Sequence, residues 1–281
     1  MMHDMPVARK VLHFSLFYLM LLVIILLTIL PFVWMVSSSF KGSEAIRTIP
    51  IRWIPEHPTV EGYERVFNMQ GFSFARASLN SLVLAVACTF VAVTSASMAA
   101  FVFAKLPFKG SGKLFALYLG TMMIPGTVTM VPNYIILRIL GLLDTYTGLI
   151  LPSLANAFGV FLMRQSMMSV NDSYLESAHL DGASLYRIFF QIMLPLVMPT
   201  LATMVLLSFM GSWNSYLWPL IVLTSNDKQT LQVVLGNMNG IYKNNEHVLM
   251  AGAVLTILPI LVVYLISQRY VDQGISLGGL K

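Results

Sequence analysis

Residues whose types and spacing could support chemistry are few in this sequence, and one stretch has features of a phosphate-binding loop. The stretch is Gly110-Ser111-Gly112-Lys113. A P-loop also needs a Gly five positions before its second Gly and a Ser or Thr after the Lys, since that hydroxyl ligates Mg²⁺. The sequence has Pro107 and Leu114 at those positions. We therefore interpret the stretch as a flexible basic turn.

Other catalytic and metal-binding patterns are missing from the sequence. It has no HExxH, no paired Cys-x-x-Cys and no Ser–His–Asp spacing, and its five histidines are scattered in or near loops. We interpret these histidines as solvated rather than metal-ligating. Cys88 is the only cysteine and lies in an apolar stretch, so it forms no intrachain disulfide. The sequence therefore predicts no catalytic site, metal site or cofactor in this chain.

The composition indicates a membrane protein. Of the 281 residues, 57% are hydrophobic and 10% are charged, whereas ordinary globular domains have roughly 45–50% apolar and about 25% charged residues. This deficit of charge excludes a soluble enzyme and a disordered chain. The net charge of +5 comes from basic residues that stand singly between apolar runs, so it does not indicate nucleic-acid binding.

Six apolar runs are long enough to cross a membrane as helices, which takes about 20 residues each. We predict an all-α, polytopic fold with one transmembrane domain over residues 1–281, and breaks in the third span at Pro125 and Pro132. An even number of spans puts both termini on one side, and the basic loop 105–113 favours the cytoplasm. The predicted spans are about 12–36, 77–104, 114–136, 147–163, 198–224 and 248–267.

The cores of these spans contain no Asp, Glu, Lys or Arg. Ionisable residues inside a membrane usually mark proton relays or ion pathways. Their absence argues against a proton-coupled carrier, although sodium sites can be built from neutral oxygens. We expect that any energy for uphill transport enters through another chain.

The most polar cluster in a predicted span is Trp213, Asn214, Ser215 and Tyr216. Polar groups in the membrane need partners or a water-filled cavity. One interpretation is hydrogen bonding between helices; the other is the lining of a path for a hydroxyl-rich solute, with aromatic rings stacking on sugar faces. Asn80 and Asn133, near span ends, are weaker candidates for the same path. The sequence leaves both interpretations open.

The loop between the fourth and fifth spans, 164–197, carries helix signals. Ser173 and Glu176 have the spacing of a capping box. The helix should end after Asp181, because Gly182 takes the left-handed conformation without steric cost. Such a short helix predicts either a docking element or a hairpin that only joins two spans.

A second helix should follow, over residues 185–194. Ser184 can cap it, and its largely apolar circumference suits the membrane surface. Pro195 and Pro199 then redirect the backbone before the fifth span. On the first helix, Tyr174, Leu175 and Ala178 share a face at helical spacing, and the small Ala178 would let another surface approach.

The motif Glu176-Ser177-Ala178, three residues, Gly182, nine residues, Ile192-x-Leu194-Pro195 resembles the EAA loop of binding-protein-dependent ABC importer permeases. The likeness covers about residues 12–275 and is closest to the carbohydrate-importer branch, in particular the smaller permease of maltose-type systems. The stretches that carry it further are Leu142-Leu143-Asp144-Thr145, Leu149-Ile150-Leu151-Pro152, Phe161-Leu162-Met163-Arg164-Gln165 and Trp213-Asn214-Ser215-Tyr216-Leu217-Trp218-Pro219-Leu220.

This resemblance implies that the first helix of the loop inserts into a cleft on a separate ATPase. The loop and both termini would then be cytoplasmic, in a bacterial inner membrane. The implied partners are a second permease in a heterodimer, an ATPase dimer that binds ATP and Mg²⁺, an extracytoplasmic solute-binding protein, membrane lipid and a carbohydrate. The implied coupling residues are Tyr174, Leu175, Glu176, Ala178, Leu180, Asp181 and Gly182.

Three alternatives to a carbohydrate importer remain. A permease of the same family could carry a polyol or a glycerol phosphate. A self-sufficient secondary carrier or channel would have to work without ionisable residues in its spans, and a membrane-embedded enzyme without a catalytic cluster. In some importers of this kind the sugar is held mainly by the other permease, so the resemblance does not decide whether this chain contacts it.

Overall fold

The computed structural model describes residues 7–69, 71–241 and 245–278, and all regular secondary structure in these ranges is helical. This confirms the predicted all-α class. Short 3₁₀ turns occupy Thr121–Met123 and Leu151–Leu154, and a π-helical turn occupies Phe189–Met193. The α-helical segments are α1 Val7–Ser39, α2 Ser43–Ile46, α3 Glu61–Phe67, α4 Phe74–Lys105, α5 Ser111–Gly120, α6 Gly126–Ile139, α7 Tyr146–Ile150, α8 Ala157–Met168, α9 Ser173–Leu180, α10 Leu185–Ile188, α11 Leu194–Leu196, α12 Met198–Trp213, α13 Leu217–Val222, α14 Leu231–Ile241 and α15 Glu246–Gly278.

Three single helices in the described ranges are long and apolar enough to cross a membrane. They are His13–Ser39, Phe74–Lys105 and Glu246–Gln268, and they correspond to the first, second and sixth predicted spans. The number of crossings rises to six only if three bent helix pairs each count as one span. The six-span count therefore stays a prediction.

The three bent pairs differ in how sharply they turn. The bend is 99° between Ser111–Met123 and Gly126–Ile139, 40° between Tyr146–Leu154 and Ala157–Met168, and 85° between Leu185–Leu196 and Met198–Trp213.

Of the two breaks predicted in the third span, one is present. Pro125 forces the preceding Ile124 out of the helical region, to a ψ of 116°, because its ring crowds the residue before it. The second predicted break is wrong, since Pro132 is accommodated inside α6. The sharp turn of the pair therefore lies at Ile124–Pro125.

The chain divides into two compact units. The first contains the described residues up to Asn68 together with 237–255. In it the buried Lys41 ammonium donates to the Arg52 carbonyl at 2.6 Å and lies 4.0 Å from the centroid of the Trp34 ring. Burial lowers the pKa of Lys41. The predicted single transmembrane domain stays a prediction.

His247, in the same unit, corrects the expectation that every histidine is solvated. It is 1% exposed, and neither ring nitrogen has a hydrogen-bond partner among the described residues. A Cβ on Gly62 would lie 2.9 Å from the His247 carbonyl oxygen, so α3 can approach this closely only with glycine there. A lone histidine in a loop-rich stretch carried no sequence signal for this burial.

The second unit contains 69–236 and the described residues from 256 onward, and α4 is its central helix. α4 packs against α8 and α12 along a buried face that includes Ala96 and Ala100. Gly159 on α8 sits so close that an added Cβ would lie 3.2 Å from the Ala96 Cβ. Small residues thus bring these three helices together, and the loops at the two ends of α4 form the candidate sites.

Candidate functional site

The 164–197 loop carries α9, whose start differs from the prediction. Asp172 is the N-cap residue and has helical φ and ψ angles of −67° and −20°. The Glu176 N–H donates to the Asp172 carbonyl at 3.0 Å, and no side chain caps the helix. Asn171 Oδ1 accepts instead from the Ser173 N–H at 3.0 Å. The predicted capping box is wrong because the helical conformation at Asp172 leaves Ser173 inside the first turn.

The end of α9 confirms the prediction made for Gly182. Its φ is +76°, in the left-handed region, and Asp181 is the C-cap. The Gly182 N–H donates to the His179 carbonyl and the Ala183 N–H to the Ala178 carbonyl, both at 3.0 Å. This pair of bonds is a Schellman motif. It fixes the direction in which the chain leaves α9.

The second helix of the loop starts as predicted and continues further. The Ser184 hydroxyl accepts from the Arg187 N–H at 3.3 Å. The helix then continues through the π turn to Leu196, past the predicted end at 194. Pro195 lies inside this helix and does not break it. Its ring nitrogen cannot donate to a carbonyl one turn back, and the turn before it is π-helical. Its position on the membrane surface stays a prediction.

α9 divides its side chains between the core and the outside. Leu175 and Ala178 are each 7% exposed and belong to the core cluster of their unit. Tyr174 is 52% exposed and Leu180 is 89% exposed. The predicted shared face of Tyr174, Leu175 and Ala178 is therefore wrong, because the i, i+3 pair Leu175 and Ala178 packs inward while Tyr174 faces outward; the coupling role predicted for Ala178 stays a prediction. The outward face carries Tyr174, Glu176, Ser177, Leu180 and Asp181.

A buried lysine joins this loop to the central helix. The Lys105 side chain, 4% exposed, ends α4 and donates to the Val170 carbonyl at 2.6 Å and to Asp172 Oδ1 at 2.5 Å. Arg164 Nε adds a hydrogen bond to the Phe103 carbonyl at 3.3 Å. In the sequence Lys105 is only one of the charges of the 105–113 loop, because nothing local relates it to a residue 67 positions away.

At the other end of the unit, the predicted path residues separate. α12 ends at Trp213, before the end of the predicted fifth span at 198–224, and Asn214 is the exposed C-cap of α12. Trp213 is 2% exposed, stacks on Phe209 and donates from Nε1 to the Thr256 carbonyl at 3.2 Å. The structure therefore places Trp213 in the core.

The remaining predicted path residues also differ in position. Ser215 lines a cleft, whereas Tyr216 is 43% exposed and packs over Gly236, where an added Cβ would lie 2.7 Å from its ring. Asn80 Nδ2 donates to the Asp227 and Gln229 carbonyls at 2.9 and 3.0 Å. Asn133 is exposed on α6.

The cleft lies within the second unit and has a volume of about 270 Å³. α4, α7, α12 and α13 contribute to its walls. Its apolar lining includes Leu84, Leu149, Pro152 and Pro219, and no Asp, Glu, Lys, Arg or His lines it in the described part of the chain. The side chains that bring polar hydrogen to the cleft are Ser81, Ser153, Ser212, Ser215, Thr230 and Trp218.

Two of these polar atoms are buried without a partner. Thr230 is 5% exposed, and its Oγ1 makes no hydrogen bond among the described residues; the same holds for Trp218 Nε1. Ser81 Oγ differs, because it accepts from the Leu231 N–H at 2.8 Å. Buried polar groups are nearly always paired in folded proteins. Both atoms have almost no accessible surface, so they lie behind the wall of the cleft in this structure and stay unpaired there.

Asp144 fastens the segment that leads to Thr230. Its φ is +56°, and its carboxylate accepts from Ser225 Oγ at 2.5 Å, from the Ser225 and Thr224 N–H groups at 3.0 Å, and from Lys228 Nζ at 2.9 Å. These hydrogen bonds hold the pKa of Asp144 well below its usual range. The bond from the Ser225 hydroxyl has the largest effect, and those from the Ser225 N–H and Lys228 come next. In the sequence Asp144 stands out only as part of a motif and as an acidic residue between two apolar runs.

Comparison with known proteins gives a consistent result over nearly the whole chain. A family model described as "Binding-protein-dependent transport system inner membrane component" matches residues 6–277. The arabinooligosaccharides transport system permease protein AraQ of Bacillus subtilis is 35% identical over 268 residues, which are 95% of this chain and 94% of that protein. The sn-glycerol-3-phosphate transport system permease protein UgpE of Yersinia pestis is 32% identical, over 92% of this chain and 94% of that protein.

A solved structure has the same fold. A chain of a bacterial ABC transporter involved in the import of the acidic polysaccharide alginate superposes with a TM-score of 0.83. The two chains are 25% identical, and the match covers 95% of this chain and 98% of that one. That chain therefore shares the overall helical fold described above.

Proposed function

Because the chain belongs to the family of binding-protein-dependent transport system inner membrane components, we propose that it is a permease subunit of an ATP-driven ABC importer for a carbohydrate. It forms half of the translocation pathway with a second permease. An extracytoplasmic binding protein delivers the solute. A separate ATPase dimer binds ATP and Mg²⁺ and hydrolyses the nucleotide, so this chain is not itself an enzyme.

The observation that carries the coupling role is the exposed apolar surface of α9. Leu180 is 89% exposed and Tyr174 is 52% exposed, on a helix whose end is fixed by the Schellman motif at Gly182. Apolar side chains this exposed, beside Glu176 and Asp181, suit a surface that another protein covers. Because the ATPase is cytoplasmic, α9 and both termini lie on the cytoplasmic side of the bacterial inner membrane, and the chain crosses it six times.

The cleft supports a neutral solute over a charged one. No carboxylate, ammonium, guanidinium or imidazole group lines it in the described residues. A phosphate or carboxylate in such a cleft would lose its hydration without gaining an opposite charge. This favours a carbohydrate over glycerol phosphate, although a relative of each kind matches the chain.

Reconstitution tests this function. The chain is assembled with its second permease, the ATPase and the binding protein in liposomes, and uptake of radiolabelled arabinotriose, lactose and maltotriose is followed. We expect uptake of at least one of them that requires both ATP and the binding protein. Liposomes that contain this chain alone should take up none. Gradient-driven uptake by the chain alone would contradict the proposal and indicate a secondary carrier.

A further inference from the structure

We propose that the cleft between α4, α7, α12 and α13 is a subsite that holds one neutral, hydroxyl-bearing ring of the transported solute. The inference rests on the proposed function and adds to it a contact made by this chain itself. The Thr230 hydroxyl and the Trp218 indole N–H are the hydrogen-bonding groups that the ring completes. Because both atoms have almost no accessible surface in this structure, the bound state includes a side-chain rotation that turns them into the cleft.

Two polar atoms of residues that line the cleft have no hydrogen-bond partner among the described residues. Thr230 is 5% exposed, yet its hydroxyl has no partner in the described part of the chain, and neither has Trp218 Nε1. An indole N–H only donates, whereas a hydroxyl both donates and accepts. A solute group that pairs with the indole must accept, and one that pairs with the hydroxyl can donate or accept. A sugar hydroxyl meets both requirements.

The lining of the cleft combines hydroxyl groups with apolar side chains. Ser81, Ser153, Ser212 and Ser215 supply further hydroxyls, while Pro152 and other apolar side chains supply flat apolar walls. A sugar ring likewise has apolar C–H faces and a polar edge. The volume of about 270 Å³ is at the small end for ligand pockets, which run from about 300 Å³ upward. It suits one ring of an oligosaccharide rather than the whole molecule.

The described residues that line the cleft carry no charge. Asp144 and Lys228 form an ion pair at 2.9 Å, and neither is among the lining residues. An anionic solute would therefore find no counter-charge in the cleft. The subsite selects uncharged rings against phosphates and uronates.

The rate of chemical modification of Cys88 reports whether the cleft is occupied. Cys88 is the only cysteine in the chain and lines the cleft, and its thiol is buried. In the assembled complex, the rate at which N-ethylmaleimide modifies the Cys88 peptide is measured by mass spectrometry. We expect at least one of arabinotriose, lactose and maltotriose to slow that rate, and sn-glycerol 3-phosphate to leave it unchanged.

Variants test whether the Thr230 hydroxyl and the Trp218 indole N–H bind the protecting sugar. Thr230→Val and Trp218→Phe should each raise the half-protecting sugar concentration about fivefold, the loss expected for one buried hydrogen bond, and Thr230→Ser should restore it. Thr89→Val is the matched control: Thr89 Oγ1 is also buried and unpaired, but Thr89 does not line the cleft.

Several results would overturn the subsite. One is that none of the three sugars protects Cys88. Others are protection by sn-glycerol 3-phosphate, or unchanged protection in Thr230→Val. If the complex still imports a sugar in the first case, the subsite fails while the proposed function stands. If it imports only sn-glycerol 3-phosphate, the proposed carbohydrate function fails as well.

Discussion

Lys105, in the last turn of α4, places its ammonium 2.5 Å from the carboxylate of Asp172, the N-cap residue of α9. The same helix holds Asn80 and Ser81 near its other end, where they bind the backbone of residues 227–231. Ser81 and Lys105 are roughly 36 Å apart along this helix, at about 1.5 Å per helical residue. One continuous helix therefore connects the proposed ATPase contact with the loop beside the proposed solute subsite.

Replacement of Lys105 by methionine should weaken this connection. The Asp172 side chain is 73% exposed, so the ion pair itself is largely screened; the bond from Lys105 to the Val170 carbonyl is the part-buried one. Its loss removes this donor from the part-buried Val170 carbonyl, and we expect binding-protein-stimulated ATP hydrolysis to fall about tenfold, the effect of roughly 1.4 kcal/mol. Reconstituted complex is assayed for phosphate release.

The control for this variant is Lys109→Met, at an exposed position in the following turn. It removes the same charge without touching the loop before α9, so its hydrolysis should match that of the wild type. Equal loss in both variants would mean that net charge, and not the attachment of the loop to α4, controls hydrolysis.

Gly182→Ala should lower coupling through the backbone alone. An added Cβ at Gly182 has no atom within 4 Å, but the residue has a φ of +76°. A side chain in that conformation costs about 1 kcal/mol or more, which disfavours the Schellman turn and the direction of α9. We expect the affinity for the ATPase to fall about fivefold. It is measured in detergent by co-purification over a series of protein concentrations.

Gly120→Ala is the matched control, because Gly120 also has open space around it but has an ordinary helical φ of −56°. Alanine is at least as good as glycine at such a position, so association should not change. The same weakening in Gly120→Ala would show that the glycine conformation is not the cause.

Asp144→Asn should destabilise the loop next to the cleft in a pH-dependent way. Asparagine tolerates the left-handed φ as well as aspartate does, so the change isolates the charge. The pKa of Asp144 is lowered in the folded protein. Its stabilisation is therefore complete above the unfolded value of about 3.9 and is lost as the pH falls toward the folded one.

The measurement is thermal unfolding of the purified complex over a pH series. At pH 7 we expect the variant to melt about 2–4 °C below the wild type. That difference should stay constant between pH 8 and pH 6 and shrink only below about pH 4. A difference that changes between pH 8 and pH 6 would assign the effect to another titrating group.

Glu176→Lys tests the outward face of α9 by reversing a charge. Glu176 is exposed and makes no ion pair within the described residues, so the variant should enter the membrane and bind solute-binding protein normally. We expect transport-coupled ATP hydrolysis to fall at least fivefold, because the reversed charge opposes the ATPase surface it meets. Normal hydrolysis in the reconstituted variant would remove Glu176 from the contact.

Features that depend on a few neighbouring residues could be predicted from the sequence. Gly182 ends α9 because only glycine enters the left-handed region at so little cost, and Ser184 starts the next helix because its hydroxyl reaches the Arg187 N–H. The start of α9 was wrong by one position, since Asp172 and Ser173 are both good cap residues. The Asp172 carboxylate accepts from Lys105, which is far away in sequence and gives no local signal.

Features that depend on which way an apolar helix faces could not be predicted. Where nearly every residue is apolar, the 3.6-residue period no longer distinguishes core from lipid or from a cleft. Trp213 was therefore taken for a path residue although it packs on Phe209, and Trp218 was passed over. Thr230 carried no signal at all, because its unpaired hydroxyl becomes visible only when distant segments meet.

The central claim is that α9 docks on the ATPase, and photo-cross-linking tests it most directly. Benzoylphenylalanine is placed at Leu180, 89% exposed on α9, and at Ile139, 79% exposed at the end of α6 next to the loop that holds Asp144. In the assembled complex, we predict a cross-link to the ATPase subunit from position 180 and none from position 139. No ATPase adduct at position 180, or equal adducts at both positions, would contradict the account.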